Sequence, residues 1–344
     1  MFEKVDSYLI LSEENRFYYT GFRSSFGCVI LSKNEKFFIT DKRYASEARL
    51  VVNGFNIIAT AGGASFYDDI VSVLKKIDAK VVGFEDETIT FATHKKLKSV
   101  LKDFSLKPSS ADINFARLTK SPEEIEKIAL AESITAKALS KTLPLLKLGV
   151  SEKDISDEIT YQMLSLGAES LAFENIVAFG VNTANPHHHV SSKKLEKGDM
   201  ITFDIGAKVN GYCGDMTRTF CFGTPLEKLA QIHSIVLGAQ EYALANIKAG
   251  MTGREAHLLA SEYITANGYG QEFTHSLGHG IGVEVHEAPY LSLRSEDILE
   301  ENMVFSVEPG IYVDGLGGVR IEDLVVVKKD GLLNLTNFDK SINL

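Results

Sequence analysis

The segment Met200–Phe222 constrains this chain most, because it carries the pattern of a β-hairpin. Residues typical of strands occupy its first half, and they end at Asn210-Gly211. An Asn-Gly pair is the strongest short-range signal for a two-residue hairpin loop, since both loop positions require a positive φ. Such a loop fixes the register of the two strands and places Val209 opposite Tyr212. The segment therefore predicts one antiparallel pair of strands in a fixed register.

The predicted register brings two acidic side chains onto one face of this hairpin. It pairs Asp204 with Thr217, and Asp215 becomes the diagonal neighbour of Asp204, within reach of a shared ligand. Two carboxylates that point into one site repel each other. They are tolerated when they share a proton or hold a cation, and the hairpin alone leaves both alternatives open.

Length and composition are those of a globular protein with more than one domain. The chain has 344 residues, and single hydrophobic cores stop growing at roughly 250–300 residues. The formal net charge is −10 without a basic stripe, so we expect no nucleic-acid partner. No apolar run approaches the ~20 residues of a membrane span, and the first residues lack the layout of a signal peptide. We therefore expect a cytoplasmic protein with no membrane partner.

Residues 1–115 predict a small α/β domain, because strand and helix signals alternate along them. Strands are expected at 26–31, 36–40, 56–61 and 80–84, and helices at 43–52, 66–77 and 91–101. Residues 107–110 are typical of a loop. Ser121-Pro122-Glu123-Glu124 then opens a helix with a capping box, which we expect to run to about residue 146. The second domain is expected over residues 118–344.

The second domain repeats itself weakly at a spacing of about one hundred residues. The order of helix caps and strands is shared, which favours an internal duplication over a chance similarity. A duplicated unit brings two hairpins together about a pseudo-twofold axis and aligns Asp204 with Glu308. The matching segments are Lys147–Asp154 with Lys248–Glu255, and Leu195–Gly206 with Leu299–Gly310.

Further acidic residues lie in the second half of this repeat. Met303–Val327 predicts a second hairpin-like unit, and Glu308 lies in its first strand. The second strand carries Arg320 and Glu322 on one face and Asp323 on the other. Apolar residues that should be buried flank Glu308 and Glu322, which disfavours a solvated position for both. For Asp323 we expect a solvated outer face.

Histidines gather in two loops. The segment FTHSLGHGIGVEVHE holds His275, His279 and His286 within twelve residues, and its glycines permit close approach of the backbone. This density favours a functional site over purely structural histidines. A second cluster, His187-His188-His189, precedes the first hairpin. Taken singly, the second and third members of that cluster are expected at the surface.

Together these motifs resemble the metallopeptidases with the pita-bread fold. They are FDIGA, NGYCGDMTRTF, HSLGHGIG, VEPGIY and GVRIEDL, and they cover roughly residues 118–340. Within that family the chain is most similar to Xaa-Pro aminopeptidases (aminopeptidase P) and prolidases (Xaa-Pro dipeptidases). YTGF at 19–22 and TDKRY at 40–44 resemble the smaller domain of that subfamily. The resemblance implies an α+β protein. A creatinase-like N-terminal α/β domain would precede a pita-bread catalytic domain with internal pseudo-twofold duplication.

The resemblance also implies a centre with two divalent metal ions. The implied ligands are Asp204, Asp215, His279, Glu308 and Glu322. Four carboxylates and one imidazole form an oxygen-rich set that favours Mn²⁺, with Co²⁺, Fe²⁺ or Zn²⁺ as alternatives. Their four negative charges balance two divalent cations, and aminopeptidases are among the known two-metal enzymes.

The implied activity is hydrolysis of the peptide bond between an N-terminal residue and proline. A hydroxide that bridges the metals would be the nucleophile, and Glu308 would also shuttle the proton. The other implied residues are His187 and His286, which would stabilise the tetrahedral intermediate or hold the substrate, His275, which would shape the substrate pocket, and Arg320, a catalytic candidate that would orient acids near Glu322.

Alternative functions on the same fold are a creatinase-like hydrolase that works without metal and a non-catalytic binding protein. This chain keeps the full ligand set, which disfavours both. At Tyr290 it departs from many prolidases, which carry an arginine there that holds the carboxylate of a dipeptide. Dipeptides and longer peptides therefore both remain open as substrates. The implied partners are small peptides with proline at the second position and a second copy of the chain in a homodimer.

Overall fold

The computed structural model describes residues 2–343. They divide into two compact units, of which the first ends at Arg117 and the second begins at Leu118. Across the described residues, every helix is too short or too polar to cross a lipid bilayer.

The first unit is a mixed sheet with helices. Its strands are β1 (Ser7–Ile10), β2 (Cys28–Ser32), β3 (Lys36–Asp41), β4 (Asn56–Thr60), β5 (Val81–Phe84) and β6 (Ser105–Pro108). Its helices are α1 (Glu13–Thr20), α2 (Lys42–Val51), α3 (Ala64–Lys76), α4 (Phe91–Val100) and α5 (Ser110–Leu118). The strands follow the spatial order β4-β3-β2-β1-β5-β6. Each strand and helix predicted before residue 101 is present, whereas β1 and α1 were not predicted.

Apolar residues cover both faces of this sheet. Ile30 of β2 packs in the layer that contains Ile70 and Leu74 of α3. Its neighbours Val29 and Leu31 point to the opposite face and pack in a second layer. A strand buried on both faces must be apolar throughout, which explains the unbroken apolar run in β2.

The loop predicted at residues 107–110 is wrong in part. β6 ends at Pro108, and α5 begins only two residues later. The backbone N–H groups of Ser109 and Ser110 both donate to Asp86 Oδ1, at 2.9 and 3.0 Å. A distant carboxylate thus caps this helix, and local sequence cannot indicate such a partner.

The second unit carries the larger set of strands and the long helices. Its strands are β7 (Ser170–Leu171), β8 (Ile176–Phe179), β9 (Met200–Ile205), β10 (Ala207–Val209), β11 (Tyr212–Cys213), β12 (Met216–Cys221), β13 (Gly278–Gly280), β14 (Glu287–Leu291), β15 (Val304–Val307), β16 (Gly310–Val313), β17 (Gly317–Arg320), β18 (Asp323–Lys328) and β19 (Gly331–Asn334). Its helices are α6 (Pro122–Thr142), α7 (Glu152–Ser165), α8 (Glu227–Asn246) and α9 (Gly253–Ala266).

Helix α6 begins with the predicted capping box at Ser121 and Glu124. It ends at Thr142, before the predicted end near residue 146, and a 3-10 turn follows over Leu143–Leu145. Pro144 explains the difference, because it has no N–H group with which to continue the α-helical ladder.

The predicted internal duplication is confirmed by matched elements in the two halves of this unit. Ser151 caps α7 and Thr252 caps α9, and both caps are capping boxes. The strand order is β12-β9-β8 in one half and contains β13-β15-β18 in the other. Leu195 N–H donates to the carbonyl of Val150, and Leu299 N–H donates to that of Met251, both at 2.8 Å.

The first hairpin has the predicted register. Val209 of β10 faces Tyr212 of β11, and Asp204 of β9 faces Thr217 of β12. Asn210 and Gly211 both have positive φ, at 49° and 81°, as a type I′ turn requires. The strands pass so closely between these pairs that a Cβ at Gly206 would lie 2.2 Å from the carbonyl oxygen of Gly214. Glycine is therefore required there.

Candidate metal centre

The five predicted ligands line one cavity of about 810 Å³ in the second unit. Asp204 lies in β9, Asp215 lies just before β12, His279 lies in β13, Glu308 follows β15, and Glu322 lies between β17 and β18. The two hairpins and the histidine strand thus meet at this cavity, although the ligands are spread over more than one hundred residues of sequence.

Glu308 and Glu322 lie at breaks between strands, so their predicted positions inside strands are corrected here. Glu308 is followed by Pro309, which has no N–H group for a ladder. The N–H of Glu308 donates to the carbonyl of Leu277 at 2.8 Å, and that of Glu322 donates to the carbonyl of Thr217 at 3.1 Å. These bonds tie the Glu308 break to the residue before β13 and the Glu322 break to β12.

Three of the five side chains form a tight buried group. Asp215, His279 and Glu322 each offer a ligand atom, and these atoms lie within 4.8 Å of one another. His279 Nε2 lies 3.7 Å from Asp215 Oδ2 and 3.2 Å from Glu308 Oε1. Three donors at this separation are close enough to share one cation.

A backbone carbonyl fixes the orientation of the His279 ring. Its Nδ1 donates to the carbonyl oxygen of Gly280 at 3.1 Å, so Nε2 is the ring nitrogen that faces the carboxylates. The backbone N–H of His279 donates to Ser306 Oγ at 3.1 Å. The Ser306 hydroxyl in turn donates to Glu308 Oε1 at 3.0 Å. One serine therefore sets the positions of two predicted ligands.

Burial and mutual repulsion disfavour the charged forms of Asp215 and Glu322. Burial, reinforced by the Glu322 carboxylate, raises the pKa of Asp215 well above its ordinary value. Burial and the charges of Glu308 and Asp204 likewise raise the pKa of Glu322. Glu322 Oε1 is buried and has no hydrogen-bond partner among residues 2–343. An unpaired buried acceptor of this kind costs about 1–3 kcal/mol or more. The residues therefore fit a divalent cation, which would satisfy this oxygen.

Arg320, predicted to orient acids near Glu322, pairs directly with Asp204. Its Nη2 donates to Asp204 Oδ2 at 2.6 Å. It reaches Glu322 only through Thr217, whose hydroxyl accepts from Arg320 Nε at 3.2 Å and donates to Glu322 Oε2 at 2.7 Å. Arg320 Nη1 also donates to the hydroxyl of Tyr312 at 2.7 Å. A single buried guanidinium thus holds parts of both hairpins.

The three other predicted histidines also line the cavity. His275 lies with Nε2 2.9 Å from the hydroxyl of Tyr312, and burial lowers its pKa. His286 packs edge-on against His279, with ring centroids 4.2 Å apart. Burial, followed by the neighbouring His279, lowers the pKa of His286. The side chain of His187 is exposed within the same cavity.

Asp323 is buried, and its predicted solvated position is wrong. Its Oδ1 accepts from Arg218 Nη2 at 2.8 Å, and its Oδ2 pairs with Lys340 Nζ. Arg218 also donates through Nη1 to the carbonyl of Glu322. The partners of Asp323 lie in other segments of the chain, so the pattern of its own strand gives no sign that it is buried. Through Arg218, this buried ion pair supports the backbone at Glu322.

Sequence reasoning also missed Glu132 of α6. Its Oε2 accepts from the backbone N–H of Asp215 at 3.0 Å, and its Oε1 accepts from the Thr336 hydroxyl at 2.6 Å. The side chain is fully buried, and burial raises its pKa to about 7. The sequence signal for a buried role was weak, because it consisted of one acidic residue on the apolar face of α6.

The chain belongs to metallopeptidase family M24, whose model matches residues 126–329. Residues 3–119 match the Creatinase/Prolidase N-terminal domain. The structure is similar to that of an Xaa-Pro dipeptidase from Bacillus anthracis, with a TM-score of 0.96, 41% identity, and coverage of 99% of this chain and 95% of the other.

It is also similar to an X-Pro aminopeptidase from Thermotoga maritima, with a TM-score of 0.92, 38% identity, and coverage of 99% and 98% of the two chains. A curated Xaa-Pro dipeptidase of Pyrococcus furiosus is 40% identical over 277 residues, which are 80% of this chain and 78% of the relative. The predicted family, the creatinase-like and pita-bread fold and the metallopeptidase class are therefore confirmed. Membership of this family implies divalent metal ions.

Proposed function

We propose that this protein hydrolyses the peptide bond between an N-terminal residue and proline. The observation that carries the proposal is the buried group of Asp215, His279 and Glu322, with its unpaired Glu322 oxygen, at the wall of a peptide-sized cavity. The preference for proline is taken from the relatives, which are named Xaa-Pro dipeptidases and an X-Pro aminopeptidase.

We propose that two divalent cations, preferably Mn²⁺, are held by Asp204, Asp215, His279, Glu308 and Glu322. When bound, such ions supply Lewis acidity, which activates a water molecule and polarises the scissile carbonyl group. The oxygen-rich donor set supports Mn²⁺ over softer metals, and Co²⁺, Fe²⁺ and Zn²⁺ are the alternatives to test.

Glu308 is the proposed proton carrier. Burial alone would raise its pKa, but the hydrogen bond and the charge of His279 outweigh burial and lower the pKa to about 2. The carboxylate is ionised at neutral pH in the metal-free protein, and we propose that in the loaded enzyme it accepts the proton of the attacking water. It then returns the proton to the proline nitrogen as the peptide bond breaks.

His187 and His286 are proposed to donate hydrogen bonds to the oxyanion that develops on the scissile carbonyl. The lowered pKa of His286 keeps its ring neutral at pH 7, and a neutral imidazole still carries one N–H donor. His275 and Arg320 both bond the hydroxyl of Tyr312, and we propose that this group shapes the substrate pocket. Arg320 also orients Asp204.

A kinetic comparison tests the proposal. Purified protein loaded with Mn²⁺ is assayed with an Xaa-Pro dipeptide, an Xaa-Pro-Xaa tripeptide and the same peptides with alanine in place of proline. We expect hydrolysis of at least one proline peptide and a clear preference over its alanine counterpart. Release of the residue before alanine at an equal rate, or no release from any peptide, would contradict the proposal.

We further propose a homodimer, which rests on the expectation for the family. The molecular mass of the purified protein in solution, measured by light scattering, tests it. A mass of twice the 37.8 kDa of one chain is expected.

A further inference from the structure

A single carboxylate holds the loop that carries His187. Residues 180–191, called here the histidine loop, follow β8 and contain a 3-10 turn over Gly180–Ala184. The carboxylate of Glu152, in α7, is fully buried beneath this loop. Its Oε1 accepts from Phe179 N–H at 2.8 Å and Asn182 Nδ2 at 2.8 Å, and its Oε2 pairs with His188 Nε2 at 2.8 Å, Ser191 N–H at 2.9 Å and Ser191 Oγ at 2.5 Å.

The histidine loop forms one wall of the cavity through Pro186, His187 and His188. The second hairpin holds the loop at two points. Arg320 Nη2 donates to the carbonyl of Pro186 at 3.3 Å, and Gly318 N–H donates to Thr183 Oγ1 at 2.8 Å. Buried backbone groups of an irregular loop need such partners, because no strand ladder satisfies them. Glu152 satisfies both ends of the loop at once.

Comparison of the two repeated halves indicates that Glu152 does more than belong to a helix cap. Glu152 follows the cap residue Ser151, and the matching residue after Thr252 in the second half is Gly253. Space for a side chain is absent there, since a Cβ at Gly253 would lie 2.1 Å from the carbonyl oxygen of Tyr290. Only the half that carries the histidine loop has a carboxylate at this position.

The charge of Glu152 suits this role. Burial alone would raise its pKa, but hydrogen bonds from Ser191, His188 and Asn182 outweigh burial and lower it. An ionised carboxylate accepts several strong hydrogen bonds, whereas a protonated or amide side chain must donate at one of the same positions. His188 was predicted to be a surface residue, but its ring instead pairs with this carboxylate.

We propose that Glu152 is a positioning residue that fixes the histidine loop and thereby aims His187 at the metal centre. The role of His187 in this statement rests on the function proposed above, whereas the holding of the loop does not. Glu152 touches neither the ligands nor the substrate in this account and acts through the loop.

The test uses Glu152→Gln, which preserves volume but replaces one acceptor oxygen with a donor. We expect hydrogen exchange at the Phe179 and Ser191 amides to accelerate about tenfold or more, because both lose a charged acceptor. We expect kcat for an Xaa-Pro peptide to fall about tenfold while Mn²⁺ affinity stays within about twofold. Ser191→Ala removes one bond to Glu152 and the acceptor of the Lys193 N–H, and it should give smaller changes of the same kind.

The control is Asp154→Asn, in the first turn of the same helix. Asp154 bonds Ser151 and does not bond the histidine loop, so this variant should change neither the two amides nor kcat. A double variant with His187→Ala separates positioning from a general loss of structure. If Glu152 acts through His187, then Glu152→Gln adds little to the loss caused by His187→Ala.

Unchanged exchange at both amides in Glu152→Gln and Ser191→Ala would overturn the holding of the loop. Fully additive losses in the double variant would overturn the link to His187. If the wild-type protein cleaves no Xaa-Pro peptide, the proposed function fails, and the exchange measurement still decides whether Glu152 holds the loop.

Discussion

Arg320 lies 2.6 Å from Asp204 across 116 residues of sequence, and this ion pair joins the two hairpins at the cavity. The same guanidinium also bonds Thr217, Tyr312 and the carbonyl of Pro186, so all three of its nitrogens donate. Arginine presents these donors in a rigid planar fork, which a lysine cannot reproduce. The geometry of the centre therefore depends on the shape of this side chain as well as on its charge.

Arg320→Lys should accordingly impair the centre although it keeps the positive charge. We expect kcat/KM for an Xaa-Pro peptide to fall at least about tenfold, or about 1.4 kcal/mol of transition-state stabilisation, together with weaker Mn²⁺ binding. Steady-state kinetics and calorimetry measure both. Arg294→Lys, at an exposed arginine, is the control and should match the wild type. A near-wild-type Arg320→Lys would show that charge alone suffices.

Glu322→Gln should abolish metal-dependent stabilisation while the protein still folds. Burial and the neighbouring carboxylates raise the pKa of Glu322, so a neutral amide relieves repulsion in the metal-free protein. We expect the Tm without metal to be unchanged or higher. Added Mn²⁺ should raise Tm in the wild type and in Glu301→Gln, an exposed control, but not in Glu322→Gln. An equal rise in all three would exclude Glu322 as a ligand.

Glu132 should make the metal-free protein less stable as pH rises. Its pKa is raised by burial from 4.5 to about 7. The folded state therefore favours the protonated form, and this stability is present below pH ~4.5 and lost as pH rises to ~7, by about 3 kcal/mol in total.

Urea denaturation at pH 5 and pH 8, with metal removed by a chelator, measures this effect. From pH 5 to pH 8, the free energy of unfolding of the wild type should fall relative to that of Glu132→Gln by most of about 3 kcal/mol. Identical pH dependence in the two proteins would show that Glu132 does not titrate in this range.

Tyr290→Arg should shift preference toward dipeptides. The exposed Tyr290 side chain lines the cavity, and it stands where the resemblance to prolidases leads us to expect an arginine. A guanidinium there can pair with the carboxylate of a dipeptide. We expect the ratio of kcat/KM for the dipeptide to that for the tripeptide to increase, as measured in parallel assays. Tyr290→Phe is the control, and a ratio unchanged in Tyr290→Arg would contradict this assignment.

The parts of the fold that were predictable depend on local rules. The Asn210-Gly211 loop determines its own strand register, and the capping boxes at Ser151 and Thr252 are complete within four residues. The meeting of residues such as Asp204 and Glu322 in one cavity was implied by the resemblance to the family, and the internal repeat added the alignment of Asp204 with Glu308.

The parts that were missed depend on distant partners. Asp323 is buried because Arg218 and Lys340 reach it from other segments. Glu132 and Glu152 accept hydrogen bonds from backbone groups far away in sequence. A carboxylate whose partners are backbone N–H groups leaves no matching charge in the sequence, so pattern analysis assigns it to the surface.

The central claim is that this cavity hydrolyses Xaa-Pro peptides only when divalent metal is bound. Titration of metal-free protein with Mn²⁺, with hydrolysis of an Xaa-Pro peptide followed at each addition, tests it most directly. We predict no turnover without metal and a rate that saturates at two ions per chain. Full activity in the metal-free protein, or no turnover at any metal content, would contradict the account.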